Sequence, residues 1–164
     1  MMLGPLFAVF IACIVFFYVL FVPIAADGDS MLPSLRDGER ILITRSYKSP
    51  TRGDVIIFDG HREDGSPVGM IKRVIALPGD TVEIREGIAY ANGVPETTQS
   101  RILEKNGRGE GQQAFTVPDG HLFVLGDNRP ISLDSRFIGP IPLSSVRGRA
   151  VFIMFPFDQF GKVE

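Results

Sequence analysis

Cysteine and histidine are scarce in this chain of 164 residues, which has one cysteine and two histidines. The single cysteine, Cys13, excludes an intramolecular disulfide and any metal site that needs several cysteines. The formal net charge is only −2, and nucleic-acid binding, which needs a basic face, is not indicated. The composition therefore predicts neither a disulfide-stabilised domain nor a protein with nucleic acid as a partner.

Charged side chains are absent from residues 1–26. Residues 3–26 give an apolar stretch of 24 residues, and a helix of that length is about 36 Å long, enough to cross a hydrocarbon core of about 30 Å. A cleaved signal peptide is the alternative, but it would begin with a basic segment, which is lacking. We therefore predict a transmembrane signal-anchor helix over residues 3–26 and one folded domain over residues 27–164.

A sustained helical period is absent after Ala26. Short runs typical of β-strands alternate instead with turn signals such as Asn92-Gly93, a pair that tolerates the positive φ angles of a tight turn. The predicted strands are Arg40–Thr44, Asp54–Phe58, Met70–Leu77, Thr81–Arg85, Ile88–Ala91, His121–Leu125 and Val146–Met154. The pattern predicts a mainly β domain of barrel or sandwich type, with residues 97–113 as an exposed polar loop.

Three clusters combine polar residues with apolar strands or turns. They read GDSMLPSL at residues 28–35, GMIKRVIALPGD at residues 69–80 and GDNRPISLDSRFIGPIP at residues 126–142. By itself the third cluster is more typical of a polar loop held by ion pairs and Asx turns than of a catalytic site.

The second cluster places Lys72 next to Arg73 on an apolar strand. Neighbouring residues on a strand point to opposite faces, so one of the two cations must point towards the core. An arginine would keep its charge there, whereas burial lowers the pKa of a lysine and makes it a candidate general base. The alternative is a lysine whose stem packs on apolar surface while its amine reaches water, and the cluster alone favours that alternative.

In this order, the apolar segment and the three clusters resemble the type I signal peptidases, membrane-anchored Ser/Lys endopeptidases that remove signal peptides from exported proteins. A further matching stretch, RGDVIIF at residues 52–58, lies between the first two clusters. The resemblance covers roughly residues 3–155 and implies a mainly β, signal-peptidase-like catalytic domain after one N-terminal transmembrane helix. It also implies a single-pass protein of the bacterial plasma (inner) membrane, with the catalytic domain on the extracytoplasmic side.

The resemblance assigns roles residue by residue. Ser30 matches the nucleophile, Lys72 the general base and Ser132 the serine that holds the lysine amine in position. The residues that match those keeping the site in shape are Arg73, Asp127, Asp134 and Arg136. The oxyanion would be stabilised chiefly by the backbone N–H of Ser30, because Gly28 stands where some relatives have a serine hydroxyl. This scheme needs no cofactor and no metal ion.

The expected substrate also follows from the resemblance. Met31, Leu35 and Ile71 are apolar neighbours of the two predicted catalytic positions, and in the family such residues line shallow pockets for small side chains. A shallow apolar pocket rejects large side chains by overlap and charged ones by their desolvation cost. The expected partners are therefore preprotein signal peptides with cleavage sites of the Ala-X-Ala type, held at the lipid bilayer.

The chain departs from the family pattern in its third cluster. Pro130-Ile131 stands where many relatives have Asp-Asn, which leaves the conformation of this loop open. The stretch between the strand that carries Lys72 and Gly126 is short, so no large second subdomain is expected. The aromatic end of the chain, residues 152–160, suits either a core strand with a tail or a surface that touches the membrane.

Other functions stay open. A Ser-His-Asp triad is disfavoured because His61 lies in a polar stretch and His121 at the start of a strand. A dedicated conjugal-transfer or pilin-maturation peptidase of the same family would use identical chemistry. A self-cleaving repressor would carry a helical DNA-binding domain where this chain has its apolar segment. A non-catalytic, membrane-tethered β binding module would not need to keep Ser30, Lys72 and Ser132 together.

Overall fold

The structure, a computed structural model, describes residues 3–45, 47–62, 64–85, 88–96 and 114–163. The predicted polar loop over residues 97–113 lies outside the described residues. The helices are α1 (Leu3–Leu20) and α2 (Ser135–Ile138), and short 3₁₀ turns cover Leu143–Ser145 and Phe157–Gln159. The strands are β1 (Phe21–Ala25), β2 (Arg40–Thr44), β3 (Val55–His61), β4 (Pro67–Ala76), β5 (Thr81–Arg85), β6 (Ile88–Ala91), β7 (Val94–Pro95), β8 (Phe115–Thr116), β9 (His121–Leu125), β10 (Ile141–Pro142), β11 (Val146–Phe155) and β12 (Gly161–Lys162).

The N-terminal apolar segment contains a helix followed directly by a strand. Helix α1 ends at Leu20, and β1 then pairs antiparallel with β2. Pro23 lies within β1 and has no N–H with which to continue a helix. The predicted helix over residues 3–26 therefore extends too far, because residues 21–25 form a strand. Among the described residues, no helix is both long enough and apolar enough to cross a membrane.

The strands of the described residues form two sheets, and every pairing between these strands is antiparallel. The larger sheet has the strand order β1-β2-β11-β3-β4-β9-β10, with β12 also paired to β11. The smaller sheet has the order β7-β6-β5-β8. The prediction of a mainly β domain is confirmed, and strands β2, β5, β6 and β9 have the predicted bounds.

Strand β4 runs where the apolar clusters of the core meet. Its Met70 and Val74 belong to a cluster with β3 and β9, while its Ile75 and Ala76 belong to a cluster shared with the smaller sheet. A further cluster packs the chain after Ser30 against β2, β3 and β11. Because β4 is covered in this way, the adjacent Lys72 and Arg73 are both removed from solvent. The fold therefore buries both cations of the second sequence cluster.

Candidate active site

Ser30 and Lys72 are 42 residues apart in the sequence but meet in the structure. The amine of Lys72 donates to Ser30 Oγ across 2.8 Å and to the carbonyl oxygen of Ile71 across 2.9 Å. Lys72 lies within β4 and is 4% exposed, so its amine is buried rather than reaching water along the surface. The structure thus brings the predicted nucleophile and the predicted base into hydrogen-bond contact.

The surroundings of Lys72 favour the neutral amine. Burial lowers the pKa of the Lys72 amine to about 8, although the charges of Asp134 and Asp127 act in the opposite direction and raise it. Desolvation outweighs attraction because neither carboxylate bonds to the amine: Asp127 is paired with Arg73 and Asp134 with Arg136. Half of Lys72 is therefore deprotonated at about pH 8 instead of at 10.5, which brings a general base within reach at mildly alkaline pH.

The loop after Gly126 holds the Ser30 turn in place. The backbone N–H of Asn128 donates to the Ser30 carbonyl across 3.0 Å, and its side-chain amide donates to the carbonyl of Asp29, also across 3.0 Å. On the other side of Ser30, Met31 and Leu35 are buried in the core at 3% and 1% exposure. The turn is thus fixed both by hydrogen bonds and by apolar packing, which sets the position of the Ser30 hydroxyl.

Two buried ion pairs surround the site. Arg73 donates from Nε and Nη2 to the two carboxylate oxygens of Asp127, at 2.8 and 2.6 Å. Arg136 donates from Nε to Asp134 across 2.8 Å, and Asp134 also caps the N-terminus of α2 by accepting from the Arg136 backbone N–H. All four side chains are at most 7% exposed. The geometry of these two ion pairs agrees with the structural role that the resemblance implies for the four residues. That role stays a prediction.

Gly126 lies where the Ser30 turn meets the loop that carries Ser132 and Asp134. Its N–H donates to Asp134 Oδ2 across 3.0 Å. A Cβ at this position would overlap Ser132 Oγ and lie 2.5 Å from the Ser30 carbonyl oxygen. Only glycine therefore allows the backbone to pack directly against both serines.

Ser132 is buried beside this glycine at 3% exposure. The structure shows no hydrogen bond from its hydroxyl to any described residue, Lys72 included. The prediction that Ser132 holds the lysine amine is thus not realised as a contact here, and the role of Ser132 stays a prediction. Pro130-Ile131 belong to the turn that precedes it, and Ile131 is exposed.

The backbone N–H of Ser30 is available for an oxyanion, since none of the described residues accepts a hydrogen bond from it. The neighbouring Gly28 has a φ of +80° and donates its own N–H to Asp37 Oδ1 across 2.8 Å. Gly28 therefore contributes turn geometry rather than a donor. The prediction that the Ser30 amide stabilises charge on a substrate oxygen is compatible with this geometry and stays a prediction.

A groove of about 770 Å³ opens in front of Ser30 and Lys72. Its lining is mainly apolar and comes from β1, β2, β3 and β4, with Ile131 and Leu133 contributed by the third cluster. Of the three predicted pocket residues, Ile71 lines this groove, whereas Met31 and Leu35 lie behind it in the core. The arginines in the lining are Arg45, Arg62 and Arg147.

The histidines stand apart from the groove. His61 is exposed at the end of β3, and the His121 ring nitrogen Nδ1 contacts the carbonyl of Asp119. Neither lines the groove, which gives no support to a Ser-His-Asp triad. Within the described ranges, no group of three or more His, Cys, Asp or Glu side chains is placed to hold a metal ion.

Sequence reasoning missed one buried ion pair. Arg129 donates from Nη2 to Glu96 across 2.7 Å, and its side chain is 1% exposed. Arg129 lies in the third cluster, whereas Glu96 comes from the end of the smaller sheet, so no local spacing could have linked them. The run of charged residues around Arg129 was the only available signal.

Comparison with known proteins identifies the family. The family model described as "Signal peptidase, peptidase S26" matches residues 2–155. The chain belongs to this family. It is 36% identical to signal peptidase I of Bacillus licheniformis over 157 residues, which covers 88% of this chain and 82% of that protein. It is 40% identical to the probable signal peptidase I-1 of Synechocystis sp. over 144 residues, covering 83% of this chain and 72% of that protein.

A solved structure is also similar. The crystal structure of a signal peptidase I from Enterococcus faecalis V583 shares 42% sequence identity, covers 63% of this chain and 98% of that chain, and gives a TM-score of 0.48. Membership of the signal peptidase family makes the chain an endopeptidase of the serine type, which excludes the non-catalytic binding module considered above.

Proposed function

We propose that this signal peptidase family member cleaves N-terminal signal peptides from exported preproteins, with Ser30 as nucleophile and Lys72 as general base. The observation that carries the assignment is the hydrogen bond of 2.8 Å between Lys72 Nζ and Ser30 Oγ. A serine hydroxyl is a weak nucleophile until a base takes its proton, and the base must lie within hydrogen-bond reach. Burial, which lowers the pKa of Lys72 to about 8, supplies that base on the alkaline side of neutral pH.

The proposed reaction has two halves. In the first, neutral Lys72 takes the proton of Ser30 as Oγ attacks the scissile carbonyl carbon. The resulting oxyanion accepts a hydrogen bond from the Ser30 backbone N–H. The Lys72 ammonium then gives its proton to the leaving amine, and an acyl-enzyme remains. In the second half, Lys72 removes a proton from water, the hydroxide attacks the ester carbonyl, and Ser30 Oγ leaves with the proton that Lys72 returns.

The groove supports a preference for small side chains next to the cleaved bond. The apolar part of its lining, which includes Ile71 and Leu133, disfavours charged substrate groups because they would lose hydration there. Met31 and Leu35, which follow Ser30, are already packed into the core and do not line the groove. We therefore propose Ala-X-Ala cleavage sites. The middle residue would vary widely because alternate side chains of an extended peptide point to opposite sides.

We also propose that the apolar N-terminal segment over residues 3–26, which contains α1, is the single-pass anchor in the bacterial plasma (inner) membrane and that residues 27–164 form the extracytoplasmic domain. The support is a helix without charged residues, whose apolar side chains from Leu6 to Val19 are largely exposed. Phe155, Phe157 and Phe160 near the other end of the chain are also exposed, with Phe157 at 79%. Confining the enzyme to the bilayer raises its effective concentration towards substrates held there.

The catalytic assignment is tested with detergent-solubilised protein and a preprotein. We expect a new N-terminus immediately after an Ala-X-Ala sequence, and no product from Ser30→Ala or Lys72→Met. Matched controls are Ser49→Ala and Lys48→Met, because both of these side chains are exposed and outside the groove. Near-normal turnover by purified Ser30→Ala or Lys72→Met would exclude the Ser/Lys assignment.

The anchor is tested separately by washing membranes with alkaline carbonate. We expect the full chain to stay with the membrane fraction and a chain without residues 1–20 to be released. Release of the full chain would contradict anchoring by α1 while leaving the catalytic assignment intact.

A further inference from the structure

Glu96 connects the smaller sheet to the catalytic loop. Its backbone N–H donates to the Ala89 carbonyl of β6 across 2.8 Å, which fixes it to that sheet. Its carboxylate accepts from Arg129 Nη2 across 2.7 Å. Because the side chain of Arg129 is 1% exposed and that of Glu96 is 13% exposed, little solvent screens this pair. Glu96 is the only carboxylate paired with Arg129 in the part of the chain that the structure describes.

Arg129 also forms hydrogen bonds with the loop that carries the site residues. Its Nε donates to the Gly126 carbonyl across 2.8 Å, and its own carbonyl accepts from Arg136 Nη2 across 2.6 Å. Gly126 is the residue whose backbone packs against the Ser30 carbonyl and the Ser132 hydroxyl. One guanidinium therefore joins Glu96 to the peptide segment that determines where Ser30 lies.

We infer that Glu96 is a positioning residue for cleavage, acting through Arg129 and Gly126 on the Ser30 turn. The inference rests on the proposed role of Ser30. An arginine can serve both partners because its planar fork donates in two fixed directions, whereas a lysine offers a single nitrogen atom. Without the Glu96 charge, the buried Arg129 is uncompensated and shifts towards water or another acceptor. The Gly126 carbonyl then loses its hydrogen-bond donor. The Ser30 turn shifts as a result, and the Ser30 hydroxyl is no longer held in its position relative to the Lys72 amine.

The inference predicts which kinetic constant changes. Neither Glu96 nor Arg129 nor Gly126 lines the substrate groove. Substrate binding should therefore persist while the chemical step slows. Since a misplacement of about 1 Å can cost about a hundredfold in rate, we expect kcat to fall about tenfold or more and KM to change less than about threefold.

The experiment compares Glu96→Gln with Glu83→Gln in full-length, detergent-solubilised protein cleaving a preprotein. Glu83 is the matched control because it lies on β5 of the same sheet and pairs with Arg85 at the surface, at 37% exposure. We expect Glu96→Gln to lose kcat and Glu83→Gln to retain both constants. Rates are measured well below the melting temperature of each variant, so that a loss of folded protein does not imitate a loss of kcat.

Arg129→Lys provides an independent variant. It keeps a cation beside Glu96, but its single nitrogen atom cannot occupy both the Nη2 position that serves Glu96 and the Nε position that serves the Gly126 carbonyl. We therefore expect a similar loss of kcat even where Glu96→Gln folds poorly. Wild-type kcat in either folded variant, or a loss confined to KM, would overturn the inference. Ser30→Ala is measured in parallel: if it is inactive while Glu96→Gln is normal, the inference fails and the proposed function stands. If Ser30→Ala is active, the proposed function itself fails.

Discussion

The two faces of strand β4 carry adjacent buried cations in opposite surroundings. Arg73 donates to both oxygens of Asp127 and also to the Gly53 carbonyl. Lys72, on the groove side, donates to a hydroxyl and to a backbone carbonyl, and none of the described carboxylates bonds to it. The two residues are equally buried, at 4% for Lys72 and 3% for Arg73. Burial alone therefore does not separate a structural cation from a catalytic one.

The difference lies in the partners. A paired carboxylate keeps a buried cation charged, and an arginine stays protonated in any case. A buried amine whose hydrogen bonds go only to neutral groups is destabilised in its charged form, so its proton is more easily released. One strand thus places neighbouring residues in two settings: Arg73 bonds to Asp127, and Lys72 bonds to Ser30, which it activates in the proposed mechanism.

The largest expected effect on stability comes from removing the guanidinium of Arg73. Arg73→Met leaves the Asp127 carboxylate buried without its partner, and we expect the free energy of unfolding to fall by about 3–5 kcal/mol. Lys72→Met removes a desolvated amine and should not destabilise the protein at neutral pH. Denaturant unfolding of both variants checks the contrast, and equal losses in the two would contradict it.

The second prediction concerns pH. The unfolded chain binds a proton at Lys72 up to its ordinary pKa of 10.5, whereas the folded protein releases it at about 8. Folding therefore becomes more favourable as pH rises through this window, and the difference between the two pKa values corresponds to about 3 kcal/mol. We expect wild type to be less stable than Lys72→Met at pH 7, and the deficit to shrink as pH rises from 8 to 10.5. A deficit independent of pH would contradict the lowered pKa.

The smallest expected effect comes from Ser132. Because its hydroxyl has no hydrogen-bond partner among the described residues, Ser132→Ala should change the free energy of unfolding by less than about 1 kcal/mol. If the hydroxyl orients the Lys72 amine during reaction, kcat falls about tenfold with this unchanged stability. Cleavage rates and unfolding curves of the same preparation separate the two effects. Unaltered kcat would remove Ser132 from the mechanism.

Much of the fold can be predicted from the sequence, but only part of the candidate site can. Strands with alternating burial, such as β2 and β5, are visible in the sequence because one face is apolar and turn residues mark their ends. The end of α1 is not visible, since a continuous apolar run is compatible with either helix or strand. Pairing with β2 decides the conformation of residues 21–25.

The contacts of the site depend on long-range register. Alternation along β4 indicates that Lys72 and Arg73 face opposite ways, but not which one faces Ser30. That choice follows from the pairing of β3 with β4, which sets Lys72 opposite Ile56, and from the bonds between Asn128 and the Ser30 turn. The Arg129–Glu96 pair depends on how the smaller sheet packs against the larger one. No local pattern encodes such packing.

The most direct test of the account is the titration of the Lys72 amine itself. Heteronuclear NMR of protein with labelled lysine side chains, assigned with Lys72→Met, measures its pKa in the folded enzyme. We predict a midpoint of about 8, together with a rise in kcat/KM through the same pH range. A Lys72 midpoint at the ordinary lysine value near 10.5 would contradict the account, because the amine would then be protonated at the pH where Ser30 must lose its proton.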